Sequence, residues 1–503
     1  MSIWKHHFQP TCLMLLAGLL LGLSAPGFGL WPLAWLALIP ALALIKKPYS
    51  HSQRYSLGAG FGAGFASLYY AWFFNLHPLT WLGFGQIESR LLTVAGWLLL
   101  VAETAVVVGL LFLLYGLMPR RWQRILLFPL FWILGFASLN LTPLALPWAQ
   151  LEYTQASVWP ARWIVSLLFG SGLTYLMVLH NSFWAEEFYT RSRSNQSKQA
   201  SLKTWLLPTL IPVAIGLLNL LPEPQWNHQP WPGPVAVIQG NIPIETIRSG
   251  TLDRQTIYNS YIQPLGNAKW PAGTLLIYPE EGVAPGWTPT QAPYLNPRMF
   301  ELMALAQRHQ FYIVVGVSSK DTLNHRYNSL ALISPEEWIL SENRVQFYHK
   351  RRLVPFGEYT PYGWGSLLTN LLNSLNIDYV TPYDAGNESP LLKAGNTKLG
   401  GLICFELIDS TLFHGGFAQK YAQQGANLLV NSSNLGWFHQ DPLLEAQFLA
   451  IGQIRAAETR LPLVISSNTG ISAIISAQGH ILQQTHPNRQ NQTKPQIIFY
   501  NGN

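Results

Sequence analysis

The chain has 503 residues, of which 49% are hydrophobic, 11% are charged and 20 are Trp. This composition disfavours both intrinsic disorder and a purely water-facing globule, so a membrane protein is the first expectation. The formal net charge of +7 arises in the first 222 residues, which carry 13 Lys or Arg against five Glu and no Asp. Because these basic residues stand between apolar runs, they indicate a membrane surface and no nucleic-acid partner.

Seven apolar runs predict a multi-span α-helical membrane domain over residues 1–222. Several runs reach the roughly 20 residues that a helix needs to cross a hydrocarbon core. The runs lie at 11–29, 30–45, 56–76, 91–117, 125–140, 164–184 and 204–221. The first run also resembles a secretory signal, and its removal would leave six spans and the same final side.

The basic residues between the runs predict the orientation. Eleven lie at the N-terminus and in alternate loops, whereas only Arg90 and Arg162 lie on the opposite side. By the positive-inside rule, the N-terminus is cytoplasmic and everything after the seventh span lies outside the cytoplasm. Glu103, near the middle of the fourth run, is a candidate functional residue; the alternative is a protonated Glu bonded to a neighbouring helix.

Residues 223–234 are rich in Pro and Trp and predict a linker. From residue 235 to 503, short apolar runs alternate with helical patterns, which predicts one α/β domain. Eight candidate strands begin at Val235, Thr274, Tyr312, Ser329, Leu399, Ala426, Pro462 and Ala473. Candidate helices span 253–264, 297–308, 416–424 and 443–460.

Three polar residues end or follow apolar strands: Glu280, Lys350 and Cys404. Cys404 is the only cysteine of its domain, so it is either an inert small side chain or a nucleophile. A Glu can take the proton of a thiol, and a Lys can stabilise the oxyanion that forms when the thiolate attacks an acyl carbonyl. The sequence alone does not show that the three side chains meet.

At these residues the chain resembles the nitrilase, or carbon-nitrogen hydrolase, superfamily. The resemblance rests on Pro-Glu at Glu280, a Lys-x7-Glu pattern from Lys350 to Glu358, and Cys-Phe-Glu at Cys404, in this order and 70 and 54 residues apart. It implies a four-layer αββα sandwich and a Glu-Lys-Cys triad. Glu280 would be the general base, Lys350 the oxyanion-stabilising cation and Cys404 the nucleophile.

The same motifs imply three supporting residues. Glu358 would orient Lys350 or an incoming amine, the backbone N–H of Phe405 would be a second oxyanion donor, and Glu406 would fix the pocket. For Glu358 and Glu406, a purely structural salt bridge remains the alternative.

Apolar spans before a nitrilase-like domain are similar to the apolipoprotein N-acyltransferase family over essentially the whole chain. The stretches VIQGNIP from Val237 and HKRRLVPFGEYTP from His349 carry this resemblance. It implies transfer of a fatty acyl group from a phospholipid, through a Cys404 thioester, to the α-amine of the N-terminal diacylglyceryl-cysteine of a lipoprotein, with ping-pong kinetics. The expected setting is the bacterial inner membrane, with a monomeric, multi-pass enzyme whose catalytic domain faces the periplasm.

An apolar helical face follows the Glu358 motif and predicts a membrane-dipping arm or lid; the alternative is a helix packed on the domain core. Its residues are Trp364, Leu368, Leu371, Leu372 and Leu375. The 13 His show no metal-ligand spacing, and no phosphate-binding glycine motif occurs, so we expect no metal and no cofactor.

Two alternatives remain open at this point. A membrane-anchored amidase would use the same triad with water as the acceptor. A transporter with an extracytoplasmic binding domain would use Glu103 on its pathway, and it would leave the ordered Glu-Lys-Cys constellation without a purpose.

Overall fold

In a computed structural model of the chain, the backbone contacts form two compact units. The described residues are 2–142, 144–193, 202–224, 233–248, 252–265, 270–282, 284–336, 345–360, 383–410, 416–485 and 494–501. The first unit comprises 1–74, 90–225 and 410–414, and the second comprises 75–89, 226–409 and 415–503. Most of the predicted linker and all five residues of the predicted arm lie outside the described residues.

Every predicted apolar run overlaps a helix. The helices are Ser2–Gly22, Leu38–Ile45, His51–Tyr69, Gln86–Leu117, Arg121–Leu126, Phe128–Ser138, Trp159–Arg193 and Leu202–Leu218. Among the described residues, two are long and apolar enough to cross a membrane: Gln86–Leu117 and 159–192. Shorter apolar helices account for most of the other runs, so the count of seven spans stays a prediction.

The first and third helices pack backbone against backbone. A methyl group on Gly18 would collide with the carbonyl oxygen of Phe61, and one on Gly64 would collide with the carbonyl oxygen of Leu15. Contacts of this kind are typical of membrane helices, whose association depends on close van der Waals packing. Gly18 and Gly64 are therefore required for these two helices to approach each other so closely.

The buried carboxylate of Glu186 forms ion pairs with two of the basic residues from which the membrane orientation was predicted. Glu186, 1% exposed, accepts from Lys46 Nζ at 2.6 Å, Arg124 Nε at 2.7 Å and the Tyr115 hydroxyl at 3.0 Å. These basic side chains thus join separate helices of the unit. Glu103 is half-buried.

The described residues of the second unit form thirteen strands, numbered here in chain order. They are β1 Val235–Gln239, β2 Leu275–Ile277, β3 Ala284–Pro289, β4 Tyr312–Lys320, β5 Arg326–Ile333, β6 Val345–His349, β7 Leu392–Ala394, β8 Thr397–Ile403, β9 Leu428–Ser433, β10 Leu463–Ser467, β11 Ala473–Ile475, β12 Ile481–Gln484 and β13 Gln496–Tyr500. One mixed sheet has the order β13-β1-β2-β4-β5-β6 with β3 beside β4, and the other has the order β12-β11-β10-β9-β8-β7. All eight predicted strands are present, and the sequence missed β3, β6, β7, β12 and β13.

The helices of this unit cover the outer faces of the two sheets, which contact each other through β1 with β10 and β5 with β8. They are Ile244–Arg248, Arg254–Ile257, Pro297–His309, Gly416–Gln423 and Pro442–Thr459. Asp253 caps helix Arg254–Ile257, because its side chain accepts a hydrogen bond from Thr256 N at 2.7 Å. This helix continues as π- and 3₁₀-turns to Leu265. The predicted nitrilase-like fold with mixed sheets is confirmed.

Candidate active site

Three strand ends bring the predicted triad together. β2 runs parallel to β4, and β6 runs parallel to β4 because each is antiparallel to β5. The chain positions that follow β2 and β6 therefore lie at one edge of the sheet, where they carry Glu280 and Lys350. β8 ends at the same site from the second sheet, and Cys404 is the next residue.

Lys350 lies between two carboxylates. Its Nζ is 3.3 Å from Oε1 of Glu280 and 2.9 Å from Oε1 of Glu358. Lys350 is 1% exposed, Glu280 7% and Glu358 8%, so the ion pairs are shielded from water. The second oxygen of Glu358 accepts from Val354 N at 2.8 Å, which fixes the loop that carries it.

Asn328, which the sequence did not single out, joins both carboxylates. Its Nδ2 donates to Oε1 of Glu280 at 2.6 Å and to Oε1 of Glu358 at 2.7 Å. Lys350 N donates to the carbonyl oxygen of Asn328 at 2.8 Å, because the two residues lie side by side on β5 and after β6. The only sequence signal was an Asn directly before a predicted strand, and such residues are too common to identify a site.

The charges of this cluster decide the protonation of its members. Burial raises the pKa of Glu280, against the opposing effect of Lys350, and the neighbouring charge of Glu358 raises it further. Burial alone would lower the pKa of Lys350, but Glu280 and Glu358 outweigh it and hold that pKa well above its usual value. One ammonium between two carboxylates leaves a net negative charge, so Glu280 is well suited to accept a proton.

Cys404 is held in a left-handed backbone conformation with φ of 46°, which L-residues seldom adopt. Asn431 Nδ2 donates to the Cys404 carbonyl oxygen at 3.3 Å and supports this turn. Burial and, next, the charge of Glu280 raise the pKa of the Cys404 thiol to about 12, against the opposing effects of Lys350 and the backbone N–H of Asn434. The resting thiol is therefore protonated and needs a base to react.

Glu406 ties the two strand ends together. Its Oε1 accepts from the Tyr348 hydroxyl at 2.7 Å and from Arg351 N at 2.7 Å, on the Lys350 side. Its Oε2 accepts from Ile403 N at 2.8 Å, directly before Cys404. Since Glu406 is 2% exposed and bonds mainly to backbone, it positions Lys350 relative to Cys404. A salt bridge is not its main interaction.

Phe405 is the second residue of the 3₁₀-turn Cys404–Ile408, with the guanidinium of Arg352 over its ring at 5.4 Å. The backbone N–H of Asn434 also lies near the Cys404 thiol, and the sequence did not indicate this donor. Within the described ranges, no group of three or more His, Cys, Asp or Glu side chains could hold a metal ion.

A short segment from the first half of the chain belongs to the same unit. Trp81, in residues 75–89, packs edge-on against Trp437 with ring centroids 4.8 Å apart. A methyl on Gly357 would lie 3.6 Å from the Trp437 ring, so this aromatic pair is next to the loop that carries Glu358. His439 adds a contact of 3.3 Å from Nε2 to the Pro78 carbonyl oxygen.

Comparison with known proteins agrees with this geometry. Residues 235–497, just over half of the chain, match the carbon-nitrogen hydrolase family. The chain belongs to the carbon-nitrogen hydrolase family. A second match, over residues 17–183, is to the apolipoprotein N-acyltransferase N-terminal domain. This chain is therefore an acyltransferase enzyme.

Two relatives illustrate the similarity over most of the chain. An apolipoprotein N-acyltransferase of Geobacter metallireducens is 29% identical to this chain, in an alignment that covers 93% of this chain and 86% of the relative. One of Haemophilus ducreyi is 25% identical over 91% and 84% of the two chains. A solved carbon-nitrogen hydrolase superfamily protein from Xanthomonas campestris matches 53% of the chain and 89% of its own length, at 15% identity and a TM-score of 0.35.

Proposed function

We propose that this enzyme transfers a fatty acyl group from a phospholipid, through a thioester on Cys404, to the α-amine of the diacylglyceryl-cysteine that begins a lipoprotein. The observation that carries the proposal is the thiol of Cys404 beside the Lys350 ammonium, which is itself held between Glu280 and Glu358. The match to the apolipoprotein N-acyltransferase N-terminal domain supports a lipid donor and a lipoprotein acceptor.

In the first half-reaction, Glu280 takes the proton of the Cys404 thiol as the sulphur attacks the ester carbonyl. Lys350 and the backbone N–H of Asn434 or Phe405 stabilise the oxyanion. The carbon–oxygen bond then breaks, the proton on Glu280 passes to the leaving alkoxide, and a lysophospholipid departs. A thiol pKa of about 12 makes this base indispensable, because almost no thiolate exists before the attack.

In the second half-reaction, the neutral α-amine attacks the thioester carbon. Glu280 takes a proton from the amine, the carbon–sulphur bond breaks, and the same proton returns to the thiolate. Glu358 holds Lys350 in place through both steps, since its Oε1 lies 2.9 Å from Nζ. Because the two half-reactions share one site, the kinetics are ping-pong.

The membrane setting is also part of the proposal. Seven spans, a cytoplasmic N-terminus and a periplasmic catalytic domain in the bacterial inner membrane follow from the apolar runs and the eleven-to-two basic asymmetry. The apolar face from Trp364 to Leu375 would guide the acyl chain to the thiol. Reporter fusions after residues 49, 119, 194 and 224 would test the topology, because only the last should report from the periplasm.

The chemical test is direct detection of the intermediate. The purified enzyme is incubated with phosphatidylethanolamine in micelles, and Cys404 is examined by peptide mass spectrometry for an acyl adduct that hydroxylamine removes. The adduct should discharge onto a diacylglyceryl-cysteine peptide, and Cys404→Ala should form none. Discharge to water alone, with rapid turnover of soluble amides, would instead identify an amidase.

A further inference from the structure

A second cluster of charged and aromatic side chains lies at the catalytic edge of the first sheet. Ser318 of β4 pairs with Asn328 of β5, and Lys320 pairs with Arg326. Paired residues, and residues two apart on one strand, share a face of a sheet. Arg326 and Lys320 are therefore on the face that carries Asn328, and Arg326 is about 7 Å along the strand from it.

The two cations are directly opposite each other on neighbouring strands. Like charges in this arrangement repel each other and destabilise the pair unless a counter-charge is present. In the part of the chain that the structure describes, neither the Lys320 ammonium nor the Arg326 guanidinium has an ion-pair partner. Both side chains are half-buried, so the repulsion is less screened than at an open surface.

Aromatic rings and carboxylates surround these cations. The Arg326 guanidinium lies over the Trp287 ring at 5.1 Å, and the Trp287 and Tyr383 rings are 6.0 Å apart. The Tyr383 hydroxyl donates to Oε1 of Glu281, the residue after Glu280. The exposed carboxylate of Asp384 accepts from Arg326 N at 2.9 Å.

The segment that holds Tyr383 is attached to the catalytic residues by backbone bonds. Tyr383 N donates to the Glu358 carbonyl oxygen at 3.0 Å, and Gly386 N donates to the Lys350 carbonyl oxygen at 2.8 Å. A molecule bound on this cluster would therefore lie next to the triad.

We propose that Lys320, Arg326, Trp287 and Glu281 bind the zwitterionic phosphate headgroup of the acyl donor. The two cations bind the phosphodiester, and Glu281 with the aromatic rings binds the cationic amine through charge and cation–π contacts. A mixture of two cations and two carboxylates fits a zwitterion better than an anionic headgroup. In a glycerophospholipid, the phosphate and the ester share one glycerol, which matches the separation between Arg326 and the Asn328 site. This inference rests on the proposed function.

The test compares donors with and without a phosphate. Thioester formation on Cys404 is followed in single turnovers with phosphatidylethanolamine, with phosphatidylglycerol and with p-nitrophenyl palmitate, which has no phosphate. The variants are Arg326→Gln, Lys320→Gln and both together. Arg308→Gln is the matched control, because Arg308 is an exposed residue of helix Pro297–His309, on the outer layer of the unit.

The double variant should raise the half-saturating concentration of phosphatidylethanolamine on the order of tenfold, with a nearly unchanged maximal rate. Because Glu281 still binds the amine, the preference of the double variant for phosphatidylethanolamine over phosphatidylglycerol should not fall, and its rate with p-nitrophenyl palmitate should stay within twofold of the wild type. Equal losses with all three donors, or no difference from Arg308→Gln, would overturn the headgroup site.

Failure of the proposed function would be recognised separately, because the wild type would then form no thioester from any donor. In that case, calorimetric binding of dihexanoyl phosphatidylethanolamine to Cys404→Ala decides the inference. Binding that the Arg326→Gln and Lys320→Gln changes weaken supports the site, and binding that they leave unchanged refutes it.

Discussion

Glu280 and Glu358 accept hydrogen bonds from the same nitrogen, Nδ2 of Asn328, at 2.6 and 2.7 Å. The same two carboxylates flank the Lys350 ammonium, so one amide and one ammonium together hold two buried negative groups in place. Without these donors the two carboxylates would repel each other, and the pKa of Glu280 would rise further. The ability of Glu280 to act as a base thus depends on Asn328 as much as on Lys350.

The first prediction concerns this amide. Asn328→Asp replaces the shared donor with a third carboxylate, which raises the pKa of Glu280 and repels Glu358. We expect thioester formation to slow roughly a hundredfold or more, the range seen when one preorganised donor is removed. Mass spectrometry of Cys404 measures the rate. Asn259→Asp, an exposed site on the same unit, is the control, and equal rates in the two variants would contradict the role given to Asn328.

The second prediction concerns the thiol. Since the pKa of Cys404 is about 12, its alkylation by iodoacetamide should rise about tenfold per pH unit from pH 7 to 10 without a plateau. Glu280→Gln should speed alkylation, because the charge of Glu280 raises the pKa of the thiol. Lys350→Met should slow it. Peptide mapping separates Cys404 from Cys12, and a plateau below pH 9 in the wild type would show that the thiol is already activated.

The third prediction concerns Glu406 and pH. Burial raises the pKa of Glu406 to about 7 from the usual 4.5, so the folded protein binds this proton more tightly than the unfolded chain does. Its contribution to stability is fully present below pH 4.5 and is lost as the pH rises to about 7. The free energy of unfolding of the wild type, relative to Glu406→Gln, should fall over this interval. Chemical denaturation at several pH values measures it, and a difference that grows with pH would contradict the prediction.

Glu406→Gln should also weaken the site at every pH. A Gln offers one acceptor oxygen, so either the Ile403 N–H or the donors on the Lys350 side lose their partner. A buried donor without a partner costs about 1–3 kcal/mol. Slower thioester formation should accompany the lower stability, because the two strand ends are no longer joined.

The fourth prediction concerns a close approach behind Glu280. A methyl group on Gly316 would lie 2.5 Å from Cα of Glu280 and 2.7 Å from the Pro279 carbonyl oxygen. Gly316→Ala should therefore displace the base while β4 and β5 remain paired. We expect a loss of rate of roughly a hundredfold, as for other misplacements near 1 Å, with an unchanged circular dichroism spectrum. A fully active Gly316→Ala enzyme would show that the strand end can shift without cost.

The α/β order of the second unit and the residues capable of catalysis could be predicted from the sequence. Runs such as those at 312–317 and 399–405 are free of charged residues because both faces of these central strands are buried, so composition alone identifies them. Glu280 and Cys404 were recognisable because each lies at the end of a predicted strand, and Lys350 because its place in the chain order resembles one superfamily.

The contacts that position these residues follow from strand pairing and could not be predicted from the sequence. The strands β3 and β6 escaped prediction because Pro285, Gly286 and Pro289 interrupt one, and polar Gln346 and His349 interrupt the other. Without β6, Lys350 could not be placed beside Asn328, whose partners are 22 to 48 residues away in sequence. Strand pairing and sheet packing bring such distant residues together, and local patterns of hydrophobicity carry no information about them.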